Sequence, residues 1–283
     1  MYELLKKRYR KLRRVWRNSI RWIRSQTYYL IPNQIIRIWK TNPNHKWLFI
    51  IGTNNSGTTL LRNILSEHSD ISDMGAEGQF RTFHLPSDRD YGLDRVSSER
   101  PDIFRLTEND DANHLQVFYD WYLAYTNRNQ YLLEKSTPNV LRMRWLNKHF
   151  APANFIIIVR SPYAVIEGMK RKVGVPIERA TAHWCRVHKI IMEDISMLDK
   201  HLLITYDELT EKPKEIFDLI CNMLNIPNSF NIESKEFTIH GVNSEIKNMD
   251  YKSINNLSEE EIIYINKSCS DLMNKYRLPI HNI

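Results

Sequence analysis

Phe49 to Leu61 reads FIIGTNNSGTTLL: an apolar strand signal, a loop holding Gly52 and Gly57, then hydroxyl residues that open a helix. This order of residue types suits phosphate binding. Glycine lets the backbone approach an anion closely, and the free N–H groups of a helix N-terminus point at it. The spacing Gly52-x4-Gly57 is that of a nucleoside-triphosphate loop, but Thr58 stands where that loop needs its lysine. The loop is therefore expected to cradle a phosphate other than the β- and γ-phosphates of ATP or GTP. The bland alternative is a Ser56 N-cap opening an ordinary helix. Arg160 is a second candidate anion ligand. It ends the apolar run Phe155–Val159 and precedes Ser161 and Pro162. Strand ends in a parallel sheet are where ligands bind, and arginine can fork onto a phosphate. Its alternative is a structural ion pair.

Four runs in order carry a resemblance. SGTTLL at 56–61 resembles the 5′-phosphosulfate loop of sulfotransferases, which use 3′-phosphoadenosine 5′-phosphosulfate as donor. FIIIVRSPYAVIEGM at 155–169 is similar to their 3′-phosphate motif. LEKSTPN at 133–139 is similar to an element of glycan-modifying members. LITYDELTEKPKEIFDLICNMLNI at 203–226 resembles the family's strand, acidic turn and closing helix. The resemblance covers roughly residues 46–226 and implies an α/β fold of three layers, a central parallel sheet flanked by helices, related to that of phosphate-loop proteins.

The resemblance also implies roles. Asn55, Ser56, Gly57, Thr58 and Thr59 would hold the 5′-phosphosulfate, and Arg160 the 3′-phosphate. Glu77, in SDMGAEGQF, would take the acceptor's proton. Its alternative is an exposed loop carboxylate, and His84 is a rival base. Two positions depart from the family pattern. Asn55 stands where most members place a lysine or arginine, and Gly168 stands where they place a serine eight residues after the arginine. An amide carries no charge, so the leaving group needs a cation from elsewhere. Lys135 is the candidate, against a surface lysine beside a salt-bridged Glu134. His183 and Trp184 read as core, with Trp184 a lesser candidate for packing near an adenine. Tyr206, Asp207 and Glu208 read as a structural turn, and Lys247 and Lys252 have no assigned role. Sulfuryl transfer asks for in-line positioning, charge stabilisation and a base, and requires no metal. No His/Cys/Asp cluster has zinc-ligand spacing.

The elements that must position these residues alternate. Strand signals fall near 47–51, 131–134, 154–159 and 201–205, and helix signals near 57–67, 139–149, 162–171, 177–198 and 213–224. That alternation predicts a parallel sheet with helices on both faces. Residues 80–130 are polar, with an aromatic helix near 113–126, and are expected to shape the acceptor site. A last helix should start at the capping box Ser258 to Glu261 and reach about Tyr276. The chain of 283 residues is expected to divide into a basic extension, 1–44, and one domain, 45–283.

Charge supports that division. Residues 1–46 hold 13 Lys/Arg and one acid, giving +12 of a total of +7, so the rest sums to −5. Leu5, Tyr9, Leu12, Trp16, Ile20 and Ile23 recur at helical spacing between basic residues. This reads as a helix lying on an anionic membrane surface through residues 1–40, or as a helix packed on the body with a solvated basic face. Nucleic acid is disfavoured by the acidic body. Apolar runs of about five residues are too short to span a membrane. No signal peptide is recognisable, and three cysteines without framework spacing suggest a reducing compartment, hence a cytoplasmic or peripheral protein. The expected function is sulfuryl transfer to a glycan or glycolipid. The alternatives are a nucleotide-binding scaffold without turnover and a phosphate-loop nucleotide kinase.

Overall fold

The computed structural model describes residues 15–281, apart from 17, 18, 21, 24, 25, 43, 231–236, 240, 241 and 245. Leu5, Tyr9 and Leu12 of the expected basic helix lie outside the described residues. The described elements run α1 (Asn33–Lys40), β1 (Lys46–Ile51), α2 (Thr58–Leu65), β2 (Ile71–Asp73), α3 (His114–Tyr122), β3 (Tyr131–Glu134), α4 (Met143–His149), β4 (Ala153–Val159), α5 (Pro162–Val173) and α6 (Ile177–Asp194). They continue as β5 (His201–Thr205), α7 (Tyr206–Glu211), α8 (Pro213–Leu224), β6 (Phe237–Ile239), β7 (Val242–Ser244), α9 (Asp250–Ile254) and α10 (Glu259–Lys275).

β1 to β5 form one parallel sheet in the order β2-β3-β1-β4-β5, with Phe49 opposite both Glu134 and Phe155. β1 is central and, from Trp47 to Ile51, buried on both faces, which is why those five residues are all apolar. Alternation along it feeds two cores. Trp47, Phe49 and Ile51 pack with residues of α3, α4, α5, α6 and α10, and Trp47 meets Phe150 edge-on at 4.9 Å between centroids. Leu48 and Ile50 pack with α2 and α8 through residues such as Leu61, Ile64, Phe217 and Ile220. Each such side chain contributes roughly 1.5–3 kcal/mol through burial. The expected three layers are present.

The expected strands all occur. β2 and the antiparallel pair β6–β7 were not legible, because three-residue strands carry too little periodicity. The segment before the sheet is tied to the body: Ile36 is fully buried, Trp39 stacks on Tyr122, and the Tyr119 hydroxyl donates to Thr27 Oγ1 at 3.0 Å. Because the sheet is parallel, the carboxyl ends of β1, β3, β4 and β5 share one edge. That edge presents the loop 52–57, Lys135, Arg160 and Tyr206.

Candidate active site

The loop after β1 is shaped by backbone crowding. A Cβ on Gly52 would lie 2.6 Å from Ser56 Oγ and 2.9 Å from the Ile158 carbonyl. Gly57 has φ +98°, and a Cβ there would meet the Tyr206 ring at 2.8 Å. Both positions exclude a side chain. Gly57 caps α2, so the first N–H groups of the helix, from Thr58 onward, face the cavity without intrahelical partners. The cavity is about 600 Å³, and Asn55, Gly57, Thr58 and Thr59 line it.

Ser56 corrects an expectation. It is fully buried, and its hydroxyl and N–H both donate to the Thr53 carbonyl, at 2.7 and 3.3 Å. Its hydroxyl closes the loop and does not face the cavity.

Glu77, Lys135 and Arg160 line the same cavity. Lys135 Nζ donates to Glu77 Oε1 at 2.6 Å, and Gln79 Nε2 donates to the other carboxylate oxygen. Lys135 is 6% exposed and Glu77 22%, so neither is the solvated residue of the bland alternatives. Beneath them lies Glu134, fully buried. Among the described residues it makes no salt bridge, as the sequence had allowed: it accepts hydrogen bonds from the Gly78 N–H at 2.8 Å, from Ser136 Oγ, and from Asn139 Nδ2. Burial raises its carboxyl to about 7, against the Ser136 and Gly78 hydrogen bonds that lower it. The Trp121 indole N–H donates to the Gly78 carbonyl at 3.0 Å, so both ends of the Gly78 peptide are fixed and Glu77 is aimed.

Arg160 donates through Nε to Asp250 Oδ1 at 2.7 Å and through Nη1 to the Asn55 carbonyl at 2.6 Å, and it covers the Tyr206 ring at 3.8 Å. Arg160 thus lines the cavity and is ion-paired at the same time. Asp250 is raised by burial, with Arg160 opposing. Trp184 is fully buried and donates to the Arg160 carbonyl at 3.2 Å; it supports the strand end from behind and does not line the cavity, as an adenine platform would. His183 is buried against Ser98 Oγ at 2.7 Å, and burial lowers it to about 3, as suits a neutral core histidine. His84 is absent from the lining of this cavity and its neighbour.

The family model described as "Sulfotransferase family" matches residues 48–230, more than half of the chain. The chain belongs to the sulfotransferase family. Protein-tyrosine sulfotransferase 1 of Danio rerio is 25% identical over 195 residues, which are 66% of this chain and 55% of that protein. The chain thus spans about half the length of the curated relative it matches. The crystal structure of sulfotransferase STF9 from Mycobacterium avium superposes with a TM-score of 0.55 at 10% identity, covering 88% of this chain and 83% of that one, and shows the same fold.

The two departures from the sulfotransferase pattern meet in space. A Cβ on Gly168 would sit 2.7 Å from Asn55 Nδ2, so the missing side chain makes room for the amide. Asn55 Nδ2 donates to the Val165 carbonyl at 3.4 Å, and Lys172 Nζ donates to Asn55 Oδ1 at 2.8 Å. Sequence reasoning missed Lys172. Val165, Gly168 and Lys172 are spaced three and four apart, so they share one face of α5, and that spacing was the available signal. Lys172 is pulled below the usual lysine range by desolvation and by Arg171, Arg95 and Arg160. Arg95 was also missed. It lines the cavity from a loop with φ of 48° at Asp94 and 74° at Arg95, a conformation no motif announces. Lys252 lines an adjoining cavity of about 360 Å³ with Arg160, Gly168 and Lys172, while the Lys247 carbonyl accepts from the Tyr206 hydroxyl. Among the described residues, no group of three His, Cys, Asp or Glu side chains is placed to hold a metal.

Proposed function

We propose that this chain transfers a sulfuryl group from 3′-phosphoadenosine 5′-phosphosulfate to a hydroxyl, or amine, of a glycan or glycolipid. The observation that carries the reading is the Lys135–Glu77 pair, which faces the same cavity as the N-terminus of α2. Thr58 and Thr59 receive the phosphosulfate on N–H and hydroxyl groups, aided by the helix dipole. Asn55 positions Lys172 beside it, and Lys172 adds the positive charge the loop lacks. The acceptor oxygen attacks sulfur in line, and its proton passes to Glu77. The bond from sulfur to the bridging oxygen breaks, and its electron pair stays on the leaving bisphosphate, where Lys135 offsets the charge.

A second cavity of about 450 Å³ shares Asn54, Glu77, Arg95 and Thr137 with the first and is bounded by Phe80 and Arg89. It supports an acceptor entering from the 80–95 side. Arg89 lies over the Phe80 ring at 4.9 Å, which suits a flat or polyhydroxylated acceptor edge. The tyrosyl hydroxyl of a polypeptide is a second reading, favoured by the name of the Danio rerio relative. We further propose that the basic segment 1–40 rests on an anionic membrane. Trp16, Trp22 and Ile23 are 65%, 60% and 53% exposed, and no helix among the described residues is long and apolar enough to cross a bilayer.

The test is transfer of labelled sulfate to a panel of glycans, glycolipids and tyrosine peptides. Label on a carbohydrate supports the first reading, and label confined to peptides replaces it with the second. Donor binding without transfer to any acceptor would point to a scaffold, and magnesium-dependent ATP binding in its place to a nucleotide kinase. Deleting residues 1–40 should remove binding to anionic liposomes and spare donor binding; liposome binding that survives refutes the membrane reading.

A further inference from the structure

Arg160, the residue that the family resemblance gives to the donor's 3′-phosphate, is already held by the protein through three of its five N–H groups. Nε and Nη2 both reach Asp250 Oδ1 at 2.7 Å, Nη1 reaches the Asn55 carbonyl at 2.6 Å, and one face covers Tyr206. The two side chains are 12% and 11% exposed. Asp250 is held where it is. Its N–H donates to Asn248 Oδ1 at 2.9 Å, Asn248 Nδ2 donates to Asp207 Oδ1 at 2.6 Å, and the Tyr206 hydroxyl donates to the Lys247 carbonyl at 3.1 Å. The stretch 247–250 is thus pinned to the turn after β5, and the carboxylate is built into the fold.

We infer that Asp250 sets the affinity for the 3′-phosphate of adenosine nucleotides by competing with it for Arg160. A carboxylate and a phosphate ask the same of a guanidinium, two aligned N–H donors. A 3′-phosphate that reaches the remaining N–H groups therefore shares the guanidinium with an anion already in contact, and its net gain at Arg160 is reduced by the charge that Asp250 offsets. The phosphate wins because it carries more charge and because Lys172 and Lys252 line the adjoining cavity with Arg160, while neither makes an ion pair with Asp250 among the described residues. The consequence is a weakened hold on the bisphosphate product, which must leave before the next donor enters. A nucleotide lacking the 3′-phosphate has no claim on Arg160 and is indifferent to Asp250.

The inference rests on the sulfotransferase reading, and the test separates the two. Calorimetric titrations use adenosine 3′,5′-bisphosphate and adenosine 5′-monophosphate on wild type, Asp250→Asn and Asp250→Ser, with thermal unfolding to check each fold. The expected result is bisphosphate affinity raised about tenfold in both variants, the scale of one charged hydrogen-bonded pair, with monophosphate affinity unchanged. In an Arg160→Ala background the gain should vanish. Unchanged or weaker bisphosphate binding overturns the role of Asp250, as does an equal gain for the monophosphate or a gain that survives without Arg160. If wild type and variants bind neither nucleotide, the donor reading itself fails.

Discussion

Lys135 meets Glu77 at 2.6 Å on the cavity wall, and Arg160, which lines the same cavity, meets Asp250 at 2.7 Å. Both pairs are shielded and both hold a cation that anionic chemistry would use, yet they are composed differently. In the proposed reaction the first joins two groups with opposite tasks, one to receive a proton and one to stabilise negative charge. Each keeps the other in place until substrates separate them. In the same reading the second joins the cation proposed for the 3′-phosphate to a carboxylate with no task in the reaction. Removing either member of the first pair subtracts from the chemistry. Removing the carboxylate of the second adds to binding.

The largest effects should therefore come from the first pair. Glu77→Gln keeps the size and removes the base, and kcat/KM is expected to fall by roughly 10²–10⁴. Lys135→Met should cost roughly 10²–10³ in kcat, the scale of one transition-state charge contact. The two losses should not add in the double variant, because each single change already strands its partner. Steady-state rates with bisphosphate binding as a control check this. If Asp250→Asn lowers kcat as Glu77→Gln does, the contrast between the pairs fails.

How much of this was legible follows from how local each signal is. Strands β1, β3, β4 and β5 announced themselves as apolar runs, and the loop by Gly52 and Gly57, because these are properties of adjacent residues. Glu77, Lys135 and Arg160 came from motif resemblance and do share one cavity. Their pairing partners were not legible. Glu77 lies 58 residues from Lys135, and Arg160 lies 90 from Asp250, and no periodicity links positions so far apart. Ser56 was misread because the same hydroxyl can cap outward or bond its own loop, and only the backbone path after Thr53 decides between them. Asn55 and Gly168 looked like two separate losses in the sequence. In the fold they are one contact.

A smaller effect probes what lies under the first pair. Glu134 is fully buried and its carboxyl is raised to about 7 by desolvation. The folded chain thus holds this proton more tightly than the unfolded chain, where a glutamate titrates near 4.5. The resulting stability is complete below about 4.5 and is lost as pH rises through about 7. The loss amounts to about 3 kcal/mol at most. Glu134→Gln carries no proton to lose, so its stability should fall less than that of wild type across this window. Denaturant unfolding at either end of the window measures the difference. Parallel curves would place Glu134 outside the titration.

The smallest effect sits where the second pair touches the loop, at Asn55. Gly168→Ala adds a Cβ 2.7 Å from Asn55 Nδ2 and 2.9 Å from its Cγ. The obstacle is the end of a side chain that can turn, so overpacking should cost about 1 kcal/mol, at the low end for such changes. Alanine also replaces glycine in the middle of α5, which returns about 1 kcal/mol of helix propensity. The two terms nearly cancel, and the melting temperature should hardly move. Binding should move, because an Asn55 amide pushed from the Val165 carbonyl gives up its bond to Lys172. Weaker bisphosphate binding at unchanged stability is the expected result. The Asn55→Ala background exposes the balance: with no amide to strike, Gly168→Ala should stabilise by about 1 kcal/mol. If Gly168→Ala destabilises equally in both backgrounds, the crowding lies elsewhere and Asn55 does not hold Lys172 through the space at 168.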